Sequence, residues 1–175
     1  MVESVLAIHA DGEEHMVAPK LVYISDTTEI GTVYTKAELT ALRQCCDAHD
    51  LLLFLDGARL GSALTSPEND LTLSDLAALT DVFTIGGTKN GALFGEAVIM
   101  TVPCDHFRWH IKQRGGMLAK GRLLGLQFLA LLNGEDGTGS SPYYTMAAKA
   151  DRQAMRIRAA FEAKGCAMLF DSPTN

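Results

Sequence analysis

The sequence predicts an α/β fold in which a mainly parallel β-sheet is flanked by helices. Strand-like and helix-like segments alternate along the 175 residues, and this alternation is typical of βαβ units. Residues 51–55 are apolar at every position, as expected for a strand that is covered on both faces of a parallel sheet. Apolar residues make up 47% of the chain and charged residues 21%, which is the composition of a globular domain with its own core.

Local signals locate the elements of the first half of the chain. Branched and aromatic residues predict a strand over residues 20–26. Thr35 and Glu38 have the spacing of a capping box, which predicts a helix that begins there and runs to about Asp47. After this helix, the sequence predicts a strand at 51–55, a short helix at 74–79 and a third strand at 81–85.

The second half is predicted to contain one strand followed mainly by helices. The strand covers residues 96–102, and helices are expected at 105–112, 121–132 and 142–164. Gly165 is expected to end the last helix, since glycine readily adopts the left-handed conformation found there. Apolar residues at 166–170 then predict a further strand, and the chain stops just after it. We therefore expect this sequence to be part of a longer subunit.

Charge and composition argue against several classes of protein. The net charge of -6 and the pI near 5.3 disfavour a protein that binds nucleic-acid phosphates, which needs a basic face. Apolar runs such as 51–55 are far too short to span a bilayer. The first four residues, MVES, lack the basic start of a signal peptide. We therefore expect no nucleic-acid or membrane partner, and a cytoplasmic location.

The cysteines and histidines indicate neither disulfides nor a metal site. The four cysteines show no CxxC spacing, and the adjacent pair inside a predicted helix is expected to pack in the core. No pair of the five histidines at i, i+4 has an acidic partner, so we expect no bound metal. The cysteines are Cys45, Cys46, Cys104 and Cys166.

Chemically reactive residues follow two neighbouring predicted strands. The second strand ends in DGAR at residues 56–59, and the third ends in GGTKNG at residues 86–91. Ligands of parallel sheets bind beyond the carboxyl ends of the strands, so we expect Asp56, Arg59 and Lys89 to share a site. A Walker phosphate loop and a dinucleotide fingerprint are excluded, since the GK[ST] ending and the GxGxxG pattern are both missing.

These three side chains match the demands of pyridoxal-phosphate (PLP) chemistry. A lysine amine must react with the cofactor aldehyde, and Lys89 fits this role. A carboxylate, here Asp56, must keep the pyridine nitrogen protonated so that the ring can accept electrons. An arginine, here Arg59, can bind the carboxylate of an amino-acid substrate with two parallel hydrogen bonds.

Each of these residues also has an ordinary structural interpretation. Lys89 is consistent with an exposed lysine in a glycine-rich turn, which is the usual place for lysine. Asp56 can cap the turn after its strand, because an Asp-Gly pair is a common turn signal. Arg59 can pair with Asp56 across that turn without any ligand. The spacing of the residues does not decide between the two interpretations.

Taken together, the segments FLDGARLGSAL and DVFTIGGTKNGALFGEAVI resemble the low-specificity L-threonine aldolases, which are enzymes of the β-eliminating lyase type with the aspartate aminotransferase fold. The resemblance extends from about Pro19, through PKLVYISDTTEIGTVYT, to at least Leu132. It implies that residues 1–132 form the core of a large PLP-binding domain of fold type I. Residues 133–175 would form a long connecting helix and the start of a small C-terminal domain. The resemblance also implies a homodimer or homotetramer.

The resemblance assigns a role to each candidate residue. Lys89 would carry the Schiff base with PLP, Asp56 would contact the pyridine nitrogen, and Thr88 would lie near the cofactor phosphate. Arg59 would help to bind the substrate carboxylate. The implied reaction is retro-aldol cleavage of a β-hydroxy amino acid, such as threonine or allo-threonine, to glycine and an aldehyde. Two alternatives stay open, namely β-elimination on another amino acid and an incomplete chain that catalyses no reaction.

The sequence departs from the family pattern in three places. The cofactor-stacking histidine and the phosphate-binding loop would lie upstream of this chain, and a second arginine downstream. Residues 27–29 are TTE where many members have Thr-His-Asn, which leaves the handling of the β-hydroxyl open. Leu118 replaces an arginine of many members, and Lys120 or Arg122 either supplies that charge or lies on a solvated helix face.

Overall fold

The computed structural model describes residues 1–10, 12, 14–134 and 140–175. Within these residues the helices are α1 (Val2–His9), α2 (Lys36–Ala48), α3 (Leu60–Thr65), α4 (Leu73–Leu79), α5 (Phe107–Gln113), α6 (Arg122–Asn133) and α7 (Pro142–Glu162). The strands are β1 (Leu21–Ser25), β2 (Leu52–Asp56), β3 (Val82–Gly86) and β4 (Glu96–Met100). A single 3₁₀ turn at Thr88–Asn90 follows β3. Residues 135–139, within the second predicted domain, lie outside the described residues.

The strands form one sheet in the order β1-β2-β3-β4. Strands β1, β2 and β3 are parallel, whereas β4 pairs antiparallel with β3. A parallel return from β3 requires a crossover of about a dozen residues or more. The connection between β3 and β4, residues 87–95, is shorter, and β4 therefore turns back beside β3. The mainly parallel sheet flanked by helices that the sequence predicts is confirmed.

The core lies against one face of the sheet. Leu53 and Leu55 of β2 and Phe83 of β3 point into it, and each has at most 2% of its surface exposed. Side chains alternate between the faces along a strand, so Leu52 points to the opposite face, where it is 47% exposed. The apolar run at 51–55 predicted coverage of both faces. The described part of the chain covers one face of β2 fully and the other only in part.

Helix α2 packs into this core through Leu39 and Cys46, which are fully buried. The helix begins with the capping box expected from the sequence. The Thr35 hydroxyl accepts a hydrogen bond from the Glu38 N–H at 3.3 Å, and the Glu38 carboxylate accepts one from the Thr35 N–H at 2.9 Å. These bonds satisfy N–H groups that a helix start would otherwise leave unpaired.

An ion pair holds α2 against the beginnings of β2 and β3. The Arg43 guanidinium lies 2.6 Å from the Asp81 carboxylate and donates to the Leu51 carbonyl oxygen at 3.0 Å. Asp81 also accepts a hydrogen bond from the Leu53 N–H at 2.6 Å. Both charged side chains are largely buried, and Arg43 also pairs with the Asp47 carboxylate at 2.7 Å. Loss of Arg43 would therefore leave the Asp81 charge unpaired in the interior.

The prediction of a strand at residues 166–170 is wrong. Gly165 follows α7 with a left-handed φ of +80°, as expected, but the residues after it form no strand. Among the described residues no strand pairs with this segment, and the residues that follow it contact α7. Arg158 of α7 binds the Asp171 carboxylate at 2.8 Å and donates to the Ser172 carbonyl oxygen at 3.1 Å. A strand needs a neighbouring strand to pair its backbone groups, whereas the Cys166 N–H donates to the Phe161 carbonyl oxygen at the end of α7 at 3.1 Å.

Helix α6 leaves an apolar surface exposed. Leu123, Leu126 and Leu129 are each more than half exposed. Residues three apart are neighbours on a helix surface, so the three leucines lie along one side of α6.

Among the residues that the structure describes, no helix is long and apolar enough to cross a membrane.

Candidate active site

Lys89 lies in a short turn at the carboxyl end of β3. The turn is a single 3₁₀ turn at Thr88–Asn90, and Gly91 ends it with a left-handed φ of +97° that favours glycine. Thr88 and Lys89 are exposed. The turn forms one wall of a cavity of about 250 Å³, which is lined by Ala58, Gly86, Gly87, Thr88, Lys89, Gly95 and Glu96.

Asn90 anchors this turn to the body of the protein. Its side chain is 2% exposed and donates a hydrogen bond to the Tyr143 carbonyl oxygen of α7 at 3.3 Å. Gly61 of α3 makes room for it, since a Cβ at Gly61 would lie 2.2 Å from the Asn90 amide nitrogen. The residue after Lys89 is thus held from two helices, while Lys89 itself remains accessible. The sequence patterns did not predict this role for Asn90.

Asp56 is the last residue of β2, in the strand next to the lysine turn. Its Oδ1 atom accepts a hydrogen bond from the Ala58 N–H at 2.9 Å, which is the turn-capping role considered from the sequence. Its Oδ2 atom accepts a hydrogen bond from the Tyr23 hydroxyl of β1. Hydrogen bonding to Asp56 is the main cause that raises the pKa of Tyr23 above its usual value of 10.0. The sequence patterns did not single out Tyr23.

The turns after β2 and β3 touch through their backbones. The Gly86 N–H donates to the Gly57 carbonyl oxygen at 2.9 Å, and the Gly57 N–H donates to the Thr84 hydroxyl at 2.9 Å. A Cβ at Gly57 would lie 2.0 Å from the Thr84 carbonyl oxygen, so only glycine fits there. This close packing places Ala58 in the cavity beside Lys89.

Arg59 and Asp56 do not form the ion pair considered from the sequence. Arg59 is half-buried at the start of α3 and pairs with no carboxylate among the described residues. Neither Arg59 nor Asp56 lines the cavity that contains Lys89 and Thr88. The structure therefore brings Lys89 and Thr88 together in one cavity. Asp56 and Arg59 lie in the adjoining segment, before and after Ala58 in the chain.

Asp26 is a buried carboxyl group beside this site. It is 2% exposed, and its backbone N–H donates to the Asp56 carbonyl oxygen at 2.9 Å. Burial raises the pKa of Asp26 from 3.8 to about 7, and a 3.4 Å hydrogen bond from the Tyr34 N–H opposes the rise. Thr28 belongs to the TTE segment at residues 27–29, where the sequence departs from the family pattern. Its hydroxyl oxygen lies 2.7 Å from the Thr32 hydroxyl oxygen. The sequence patterns did not single out Asp26, because a local pattern does not reveal burial.

The charged residues near Leu118 are solvated. Lys120 and Arg122 are exposed and form no ion pair with a residue that the structure describes. This arrangement agrees with the solvated helix face that was one of the two alternatives for them.

One group of potential metal ligands occurs in the described part of the chain. The ligand atoms of Glu3, Cys45 and His49 lie within 4.8 Å of one another. Cys45 and His49 are near the end of α2, which in a parallel sheet is the edge opposite to the carboxyl ends of the strands. Exposed groups of this kind are common without an ion, and we assign no metal role to them.

The fold and the site define an α/β domain that presents a lysine and a carboxylate at adjoining strand ends. A model of the β-eliminating lyase family matches residues 2–171. The chain is 37% identical over 128 residues to a low-specificity L-threonine aldolase of Pseudomonas sp.. The matched region covers 70% of this chain and 36% of that protein. A low-specificity L-threonine aldolase of Pseudomonas aeruginosa is 33% identical over 120 residues, 67% of this chain and 35% of that protein.

A solved structure of a Leishmania major threonine aldolase is also similar, with a TM-score of 0.89 and 48% identity. The match covers 99% of this chain and 50% of that one. The chain belongs to the β-eliminating lyase family. It spans about half of the solved relative and just over a third of the curated ones.

Enzymes of this family use PLP, and the residues of this site fit that cofactor. Lys89 lines a cavity in which Gly86, Gly87 and Gly95 present backbone without side chains, and this leaves room for a flat ring. The Asp56 carboxylate ends the adjoining strand and can accept a hydrogen bond from a protonated pyridine nitrogen.

Proposed function

We propose that this chain forms the lysine-bearing part of a PLP-dependent aldehyde-lyase subunit that cleaves a β-hydroxy amino acid. Threonine or allo-threonine would give glycine and an aldehyde. The observation that carries the proposal is the cavity at the end of β3, where Lys89 and Thr88 lie beside Ala58 of the DGAR turn. The relatives named as threonine aldolases support the choice of substrate.

Bound PLP supplies an electron sink for the bond that breaks at the substrate α carbon. Lys89 would hold the cofactor covalently, because its amine is exposed at the cavity while Asn90 fixes the turn behind it. Asp56 would face the pyridine nitrogen as an anion, already oriented by the Ala58 N–H. Thr88, on the same turn as the lysine, would donate its hydroxyl to the cofactor phosphate.

Arg59 would bind the carboxylate of the amino acid. Its guanidinium pairs with no described carboxylate, so a substrate does not have to displace an internal partner. In the overall reaction the Cα–Cβ bond breaks, the proton of the β-hydroxyl leaves, and the α carbon gains a proton. The products are then glycine and the aldehyde, and no oxidant or reductant is needed.

The test is to fix PLP to the protein with borohydride and map the labelled peptides by mass spectrometry. We expect a pyridoxyl mass increment on the peptide that carries Lys89, and none in the Lys89→Ala variant. Lys112→Ala, which removes an exposed lysine of α5, is the matched control and should label as the unaltered protein does. Labelling elsewhere, with the Lys89 peptide unmodified, would refute the assignment of Lys89.

A second candidate function is β-elimination on another amino acid, which the matching family model favours by its name. The lysine and carboxylate serve both reactions, so the products must separate them. Glycine with an aldehyde would support the aldol cleavage, whereas a 2-oxo acid with ammonia would support elimination. A protein that binds PLP and forms neither set of products would support the third alternative, an incomplete chain without catalysis.

We also propose that the working enzyme is a homodimer or homotetramer in the cytoplasm. The exposed leucines of α6, Leu123, Leu126 and Leu129, support an association through apolar surface. The four cysteines are free thiols, in keeping with a reducing compartment. The division into a core at residues 1–132 and a connecting region at 133–175 remains a proposal. Light scattering of the purified protein would test the oligomeric state.

A further inference from the structure

Tyr23 and Asp56 lie on the same face of the sheet and are joined across two strands. In the parallel pairing of β1 with β2, Tyr23 is opposite Phe54, and Ser25 is opposite Asp56. Side chains two apart on a strand share a face, so Tyr23 is the diagonal neighbour of Asp56. The Tyr23 hydroxyl spans this diagonal and donates a hydrogen bond to Oδ2 of Asp56.

The ring of Tyr23 is held in the orientation that this bond requires. It stacks on Phe54 with ring centroids 5.4 Å apart and an angle of 9° between the ring planes. Both rings project from adjacent strands, and the stack limits rotation of the tyrosine side chain. The hydroxyl at its tip therefore points along the strands towards Asp56.

We propose that Tyr23 is a positioning residue that orients the Asp56 carboxylate for the pyridine nitrogen of PLP. This inference rests on the proposed function, because it assumes that Asp56 faces the cofactor. Tyr23 itself would act through Asp56 and need not touch the substrate.

The carboxylate can accept the cofactor while it keeps both of its present donors. An ionised carboxylate has two oxygens and about four sites for hydrogen bonds. The Ala58 N–H occupies one site on Oδ1 at 2.9 Å, and the Tyr23 hydroxyl occupies one on Oδ2. Two donors on different oxygens fix the plane of the group, and no other described residue occupies the remaining site on each oxygen, which can accept a protonated ring nitrogen.

Core packing does not explain the tyrosine hydroxyl at position 23. Its side chain is 56% exposed on β1, so its hydroxyl is not needed to fill interior space. The hydrogen bond to Asp56 raises the pKa of Tyr23, and the charge of Glu29 adds a smaller effect in the same direction. A hydroxyl group that is hard to ionise remains a hydrogen-bond donor over the whole working range of pH.

The first test measures the tyrosine–aspartate pair in the protein without cofactor. The four tyrosines would be labelled with ¹³C at Cζ and titrated by NMR, with Tyr23→Phe to assign the Tyr23 signal. We expect Tyr23 to ionise at higher pH in the unaltered protein than in the Asp56→Asn variant, where the acceptor is no longer charged. A Glu29→Gln variant controls for the neighbouring charge and should shift the titration less. If Tyr23 ionised at the same pH in the unaltered protein and in the Asp56→Asn variant, the pair would be absent and the proposal would be overturned.

The second test is a double-mutant cycle on the dissociation constant of PLP. We expect Tyr23→Phe to weaken PLP binding about threefold to tenfold, since it removes one bond to a charged group and keeps the stacked ring. In the Asp56→Ala background the same change should have no further effect, because the acceptor that Tyr23 would position is no longer present. Tyr144→Phe, which alters a half-buried tyrosine of α7, is the matched control and should bind PLP normally.

The two tests separate the failure of this inference from the failure of the proposed function. Equal losses of affinity from Tyr23→Phe in both backgrounds would overturn the positioning role and leave the PLP assignment intact. If the unaltered protein bound no PLP, the proposed function and the positioning role of Tyr23 would both be refuted. The expected NMR titration would then show only that Tyr23 and Asp56 form a pair.

Discussion

The backbone N–H of Gly86 donates a hydrogen bond to the carbonyl oxygen of Gly57 at 2.9 Å. This bond joins the last residue of β3 to the first residue after β2, with no side chain between the two backbones. The turn that carries Asp56 and the turn that leads to Lys89 are therefore held together by main-chain atoms. A pair of reactive groups on two separate turns needs a fixed separation of this kind to act on one ligand.

The Gly86→Ala variant should destabilise the protein by about 1–3 kcal/mol. A Cβ there would lie 2.4 Å from the Ala58 carbonyl oxygen and 2.7 Å from that of Gly57, and backbone atoms cannot move aside cheaply. Urea unfolding followed by circular dichroism measures the change. Gly125→Ala is the control, because Gly125 lies within α6 with nothing within 4 Å of its Cβ position, and alanine should stabilise by about 0.5–1 kcal/mol. A Gly86→Ala midpoint equal to that of the unaltered protein would contradict the close contact.

The Asp26→Asn variant should change how stability depends on pH. Burial raises the pKa of Asp26 in the folded protein from 3.8 to about 7, so the folded state favours the protonated form. Stability from this group is thus fully present below about pH 4 and is lost as the pH rises to about 7. Asparagine is uncharged throughout and can still accept from the Tyr34 N–H.

The gain in unfolding free energy from Asp26→Asn should therefore increase by a few kcal/mol between about pH 4 and pH 8. Urea unfolding across that range measures it, with Asp105→Asn at an exposed site as the control. A difference between Asp26→Asn and the unaltered protein that stays constant with pH would show that Asp26 does not titrate in this way.

The Arg59→Ala variant should lower kcat/KM for the amino-acid substrate about 10-fold to 100-fold, since it removes a hydrogen-bonded charge pair with the substrate carboxylate. The dissociation constant of PLP should stay within about twofold, because the proposed partner of Arg59 is the substrate carboxylate and not the cofactor. Aldehyde release and PLP titration measure the two quantities, and Arg114→Ala at an exposed position is the control. A large loss of PLP affinity would instead place Arg59 at the cofactor.

Local sequence patterns predicted much of the fold. The Thr35 and Glu38 capping box and the apolar run at 51–55 each specify an element through neighbours in the chain, and both elements formed where expected. The short helices α1 and α3 were not predicted, because each has too few residues to show a clear period. The apolar run at 166–170 suggested a strand, but pairing depends on a free sheet edge that no local pattern can reveal.

By itself, the sequence determined the α/β class and the presence of reactive residues at two strand ends, since both follow from the order of the elements and from short motifs. The tertiary structure decided which groups surround them. Asn90 behind Lys89, Tyr23 against Asp56 and the burial of Asp26 all arise from strand register and helix packing. These features depend on residues that are far apart in the chain and come together only when the backbone folds. A local sequence pattern therefore cannot predict them.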